Sequence, residues 1–143
     1  MSVEVSPRVV VRREPAEVAA YMFDPAHDLE WTGGITASRP ARPGPLRTGD
    51  QVERTARFLG RGFTYAYVVT AHEPGRMVEL AVERPFPMTI RYELAGHPDG
   101  TLVTIRASGE PGWFFRWATP LLRRQVHRSI SADLDRLRAR LEA

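Results

Sequence analysis

The sequence predicts an α+β domain built from one strand, two short helices, six further antiparallel strands and a long closing helix. Three observations predict it. Segments of β character between residues 35 and 108 are joined mostly by compact turns. Apolar residues from 121 to 141 recur at helical period. A corner punctuated by Pro and Gly lies between residues 14 and 34.

Residues 3–13, "VEVSPRVVVRR", are rich in Val and read as the first strand, with Pro7 marking an edge position or a bulge. Glu14-Pro15 opens a short helix, because a proline at the first turn gives up an N–H that has no helical partner there. Val18, Ala19, Tyr21 and Met22 give this helix an apolar side. Asp24 is a good N-cap and Pro25 a good first residue for a second helix, which should run to Trp31 and end at Gly33-Gly34. Strands are expected at 35–39, 50–59, 63–71, 76–83, 88–94 and 101–108. The turns "GRG", "EPG", "ERPFP" and "HPDG" between them are short enough to demand antiparallel neighbours. The stretch "RPARPGPLRTG" at 39–49 breaks this rhythm, and its Pro and Gly content predicts a longer, mobile loop. In the last segment Leu121, Val126, Ile130, Leu134, Leu137 and Leu141 form one stripe, with Thr119-Pro120 as cap and first residue. The helix from 120 to 141 should be about 33 Å long.

Composition narrows the setting. The 143 residues, 43% apolar, suit one domain over residues 1–143. No run approaches the ~18 to 20 apolar residues of a membrane span, and "MSVEVSPRVV" lacks a signal-peptide layout, so a cytoplasmic protein without membrane insertion is expected. The absence of Cys excludes disulfides, thiolate metal sites and a Cys nucleophile. The isoelectric point near 9.9 raises the question of nucleic acid. All 20 basic residues are Arg, spread over every segment, and the net charge is only +3. That distribution speaks for a coding bias rather than a phosphate-binding surface, so no nucleic-acid partner is expected. His27, His72, His97 and His127 share no metal-type spacing, and no Ser sits in a nucleophile elbow, so neither a metal nor a cofactor is implied.

With its elements in this order the chain resembles a known superfamily. "FDPAHDLEW" after a first strand, the "HEPGRMVEL" turn, "PFPMTIRYEL" followed by "DGTLVTI", and the ending "DLDRLRARLE" are similar to the START-like, helix-grip (SRPBCC) proteins, in the polyketide cyclase/dehydrase and lipid-transport branch. The resemblance spans essentially the whole chain. It implies a curved antiparallel sheet of about seven strands wrapped around the C-terminal helix, two short helices closing one end, and an interior cavity that accepts small apolar molecules.

Within that frame the residues themselves select candidates. Trp31 is expected at the sealed end, chiefly as core. Alternation places Met88, Ile90 and Tyr92 on one face of their strand. For the strand at 63–71 two faces remain open: Phe63, Tyr65, Tyr67 and Val69, or Ala66 and Val68, with a bulge able to switch between them. On a helical wheel Arg123 falls within roughly 20° to 40° of the centre of the apolar stripe, and His127 lies near its border. A cation there must be paired, wet, displaced by a kink at Pro120, or bound to a ligand. Val126 and Ile130 share the stripe. Trp113 and Trp117 in "GWFFRW" form an aromatic cluster suited to a lid or core plug. The candidate ligand-binding set is therefore Trp31, Tyr65, Tyr67, Met88, Ile90, Tyr92, Trp113, Trp117, Arg123, Val126, His127 and Ile130. The favoured expectation is a carrier or sensor of a small hydrophobic ligand such as a lipid, isoprenoid or polyketide. The alternatives are an aromatase/cyclase-type enzyme aided by Arg123, Tyr92 or His127, and a protein-interaction module of the same fold.

Overall fold

In the structure, a computed structural model, residues 3–58, 60–110 and 119–143 are described. The elements follow the expected order. Strands β1 (Val3–Val5) and β2 (Arg8–Val11) precede α1 (Pro15–Met22), a single 3-10 turn (Pro25–His27) and α2 (Asp28–Trp31). Then come β3 (Ile35–Pro40), β4 (Gln51–Phe58), β5 (Arg61–Glu73), β6 (Met77–Val82), β7 (Met88–His97), β8 (Gly100–Gly109) and α3 (Thr119–Glu142).

All the described strands join one 8-stranded antiparallel sheet in the order β1-β8-β7-β6-β5-β4-β3, with β2 also pairing β8. The expected first strand is split, because Ser6-Pro7 leaves the ladder between Val5 and Arg8. Pro7 has no N–H to give, yet its carbonyl still accepts the Ile105 amide at 3.1 Å, so both halves stay on β8. This split accounts for eight strands where about seven were expected. The β7–β8 hairpin needs its glycine. Gly100 has φ of +140°, and a Cβ there would lie 2.2 Å from the Val11 carbonyl oxygen.

The two open readings of β5 resolve in favour of the tyrosines. Tyr65, Tyr67 and Val69 are buried and Phe63 is half-buried, whereas Thr64, Ala66, Val68 and Thr70 are exposed. The bulge in this strand lies between Val69 and Ala71, beyond the tyrosines, so it does not turn them out. The sheet's inner face, with Val78, Leu80, Val103 and Ile105, and the corner residues Val18, Met22 and Trp31, packs with Leu134 and Leu137 of α3 into one core.

One expectation is corrected and one open alternative is resolved. The 39–49 loop is anchored: Leu46 is buried and its amide bonds the Phe23 carbonyl at 2.9 Å, while Asp50 receives Arg42 Nε at 2.9 Å and Nη2 at 2.7 Å. Proline and glycine content marked a segment without regular structure, and one buried leucine and one ion pair tie it down. Of the alternatives open to Arg123, the wet one holds. It is exposed, as is His127, and Leu121 at the same end is 66% exposed. A wheel gives the direction of a side chain along a helix but not what lies opposite it. Burial along the stripe falls from Leu137 and Leu134 to half-buried Ile130 and Val126, and in the first turn Leu122 is buried while Leu121 and Arg123 face solvent. No described helix is long and apolar enough to cross a membrane.

Candidate functional site

The closed end of the interior is built where the helical corner meets β3, β4, β5 and β7. Asp24 caps the corner, accepting the Ala26 amide at 2.9 Å. This starts the chain on a tight path that delivers Asp28 and Trp31, three residues apart on α2, to the inside. Thr32 ends α2, its hydroxyl donating back to the Asp28 carbonyl. On β4 the residues Val52, Arg54 and Ala56 alternate inward, so the pleat puts a guanidinium into an otherwise apolar row. Tyr65 pairs directly with Arg54 across the β4–β5 ladder, and Tyr67 is the next inward residue along β5. Tyr92 comes from β7.

Charge organises the cluster. Arg54 donates from Nε at 3.1 Å and from Nη2 at 2.9 Å to Asp28 Oδ2, and both side chains are almost fully buried. Ser38 Oγ donates to the same carboxylate oxygen at 2.7 Å. The guanidinium carbon stands 4.8 Å from the centre of the Tyr67 ring, in the range of a cation–π contact. Burial by itself disfavours the Arg54 cation, but Tyr92, Tyr65, Asp28 and Tyr67 around it hold its pKa above the ordinary arginine range. The neighbouring phenols respond in the opposite sense. Burial pushes Tyr92 up to about 12 and Tyr67 higher still, with the Arg54 charge pulling each partly back. Both are neutral hydrogen-bonding groups at physiological pH.

Two polar side-chain atoms at this end are buried without a hydrogen-bond partner among the described residues, the Trp31 indole Nε1 and the Tyr67 hydroxyl. Trp31 meets Tyr92 edge to face, ring centres 5.7 Å apart, and Phe23 stacks on Tyr92 in turn at 6.3 Å. From here burial relaxes in one direction along both strands. Along β5 burial relaxes from Tyr67 to Phe63, and along β7 from Tyr92 to half-buried Ile90 and Met88. The arrangement is an apolar wall with a polar floor.

A family model described as polyketide cyclase/dehydrase and lipid transport matches residues 2–142. The chain belongs to this family. Its solved structural relatives share the fold at low sequence identity. The di-domain ARO/CYC StfQ from the steffimycin biosynthetic pathway superposes with a TM-score of 0.81 at 13% identity, covering 99% of this chain and 52% of that one. TTHA0849 from Thermus thermophilus gives 0.79 at 10% identity, over 99% and 97% of the two chains. Ara h 8.0201 gives 0.72 at 9% identity, over 99% of each. Among curated proteins no sequence match is found. The observed architecture is the helix-grip fold of these cyclase/dehydrase and lipid-transport proteins.

Of the sequence-derived candidates, the structure brings Trp31, Tyr65, Tyr67 and Tyr92 together at the closed end. Met88, Ile90, Val126 and Ile130 are half-buried. Arg123 and His127 line instead an open surface groove of about 450 Å³ with Glu4, Val5 and Ser6 of the first strand region. Trp113 and Trp117 lie outside the described residues. Sequence reasoning missed both Asp28 and Arg54 as site residues. The inward alternation of Val52, Arg54 and Ala56 was the available signal for Arg54. Asp28 had none, since an acidic residue in a first helical turn is unremarkable.

Proposed function

We propose that this protein binds a small, mainly apolar molecule in the interior between the sheet and α3, as a carrier or sensor. The observation that carries this reading is the pair of buried, unpartnered polar atoms, Trp31 Nε1 and Tyr67 Oη, at the end of an apolar wall. Buried polar groups in folded proteins are nearly always satisfied, so each orphan asks for a partner that the described residues do not supply. A few polar groups in a mostly apolar lining is also the general make-up of small-molecule sites. Family membership supports the same reading. The test is a native mass spectrum of freshly purified protein against its denatured mass. Excess mass that leaves on denaturation supports a bound molecule. A clean mass together with failure to bind hydrophobic probes defeats the proposal.

One observation favours a second reading, an aromatase/cyclase-type enzyme. Asp28, Ser38, Arg54, Tyr65, Tyr67 and Tyr92 converge at one end of the interior, where polar groups could hold a poly-β-ketone in a folded shape. Incubation with a poly-β-ketone chain distinguishes the two: a carrier returns it with the product distribution of the protein-free control, whereas a cyclase changes that distribution.

A further inference from the structure

We infer that the first turns of α3 dock this protein, peripherally and reversibly, on the surface of an anionic lipid bilayer. The inference stands apart from the reading of the interior as a binding site.

It begins with where the charge lies. Residues 119–132 hold Arg123, Arg124 and Arg128 and no Asp or Glu. Outside that stretch arginines and acids are equal in number, so the chain's net charge of +3 is the charge of these turns. The rest of α3 is matched: Asp133 takes Arg136, while Asp135 and Glu142 offset Arg138 and Arg140 in number. Two surface grooves beside α3 and the first strands repeat the contrast. One is lined by Arg12 and Arg138 together with Asp99 and Glu142, and balances itself. The other, of about 450 Å³, is lined by Arg123, Arg124 and His127 against a single acid, Glu4. Among the described residues Arg123, Arg124 and Arg128 have no ion-pair partner.

The apolar surface beside these cations names the occupant. Leu121, Arg124 and Arg128 fall at i, i+3 and i+7, so they share the face of α3 turned away from the core, and all three are exposed. Leu121 is the most exposed large apolar side chain among the described residues. An anionic bilayer takes both kinds of group at once, the leucine at its acyl boundary and the arginines among its charged headgroups. A nucleic acid would use the arginines alone. The groove beside this face gives a headgroup phosphate room to meet Arg123 as well. Three cations and one leucine make a weak anchor, so the contact is reversible.

The experiment is sedimentation of the intact protein with vesicles of phosphatidylcholine alone and of phosphatidylcholine with about one-third phosphatidylserine, at rising salt. Binding to the anionic vesicles should be at least about tenfold tighter than to the neutral ones and should weaken with salt. The triple variant Arg123→Gln, Arg124→Gln, Arg128→Gln should lose at least about tenfold in affinity. A control with the same change in net charge, Arg57→Gln, Arg61→Gln, Arg76→Gln, should lose about twofold or less. Leu121→Ser should lose about threefold, and that loss should persist at high salt. All these positions are exposed, and circular dichroism checks that each variant folds. No binding to either vesicle, or equal binding to both, would overturn the inference. Equal losses in the two triple variants would also overturn it, by reducing the docking face to net charge. Unchanged vesicle binding by Leu121→Ser would overturn the lipid assignment, and tighter binding to polyglutamate or RNA would name the partner instead.

Discussion

Arg54 and Asp28, 26 positions apart, meet as a buried ion pair at 2.9 Å that joins the second strand of the sheet's far edge to the helical corner. Neither charge reaches water, so each is tolerable only because of the other. Asp28→Ala should therefore destabilise the protein by about 3 to 5 kcal/mol, through the uncompensated Arg54 rather than the lost contact. Replacing both together, Asp28→Leu with Arg54→Met, should recover most of that loss. Urea unfolding of the two variants checks the contrast. Equal losses in the single and double variants would contradict it.

Tyr67 makes an opposite prediction. Its hydroxyl is buried and has no partner among the described residues, which costs about 1 kcal/mol or more. Tyr67→Phe removes that cost at constant shape and should raise the melting temperature by about 3 °C. A lower melting temperature would mean that the hydroxyl has a partner in solution.

Gly33 and Arg136 occupy one another's space. A Cβ on Gly33 would fall 2.1 Å from Arg136 Nη2, although the backbone at Gly33 is ordinary. The expected role of Gly33-Gly34 was to end the second helix; the finding is that Gly33 also makes room for a side chain from α3. That guanidinium donates from Nε to the Trp31 carbonyl at 3.1 Å, and Asp133 beside it accepts the Gly33 amide at 2.8 Å. Gly33→Ala should cost about 1 kcal/mol by dislodging Arg136, and should cost much less in an Arg136→Ala background. A double-mutant cycle measures this coupling, and additive losses would refute it.

Acid should weaken the fold through the sheet's surface carboxylates. The Thr70 hydroxyl first, and then Arg91 against the opposing effect of burial, hold Glu79 below its ordinary pKa. Burial raises Asp50, but hydrogen bonds from Arg42 and the Arg47 amide outweigh it and leave Asp50 lowered. A carboxylate with a depressed folded pKa contributes stability that is complete above the unfolded value, near 4, and is lost as pH falls through the folded one. Asp133 runs the other way. Burial raises it despite the Gly33 amide and Arg136, so its contribution becomes more favourable as pH falls toward the unfolded value. Stability measured against pH should fall less steeply below pH ~4 in Glu79→Gln and Asp50→Asn than in the unaltered protein. Unchanged slopes would exclude both groups.

How far the sequence carried this picture follows from what local patterns encode. Alternation and helical period depend on the chain's immediate neighbours, so the described strands and helices were legible, including the corner with Asp24, Pro25 and Trp31. The eighth strand was hidden because Pro7 was read as an edge position or a bulge, and the structure instead splits the strand there. The face of β5 was undecidable until the ladder placed Tyr65 opposite Arg54. Arg123 stayed open for a related reason: its angle on the helix was legible, but not that the first turn of α3 buries Leu122 and leaves Arg123 in solvent. The Asp28–Arg54 pair was beyond reach because its partners come from different elements, and nothing in either local stretch names the other.

The tie between the last turn of α3 and the start of the chain bears on how the molecule is assembled. The Arg12 amide reaches Glu142 Oε2 at 2.9 Å across 130 positions, and Arg136 reaches Trp31 across 105. Contacts of such separation are slow to form, because nearly the whole chain must be ordered before they repay the loop entropy. The closing helix thus has no complete docking surface until the strands and the corner are in place. Until it docks, the inward tyrosines face solvent, and a molecule held in the proposed interior site would be enclosed as the chain shuts instead of threading in afterwards.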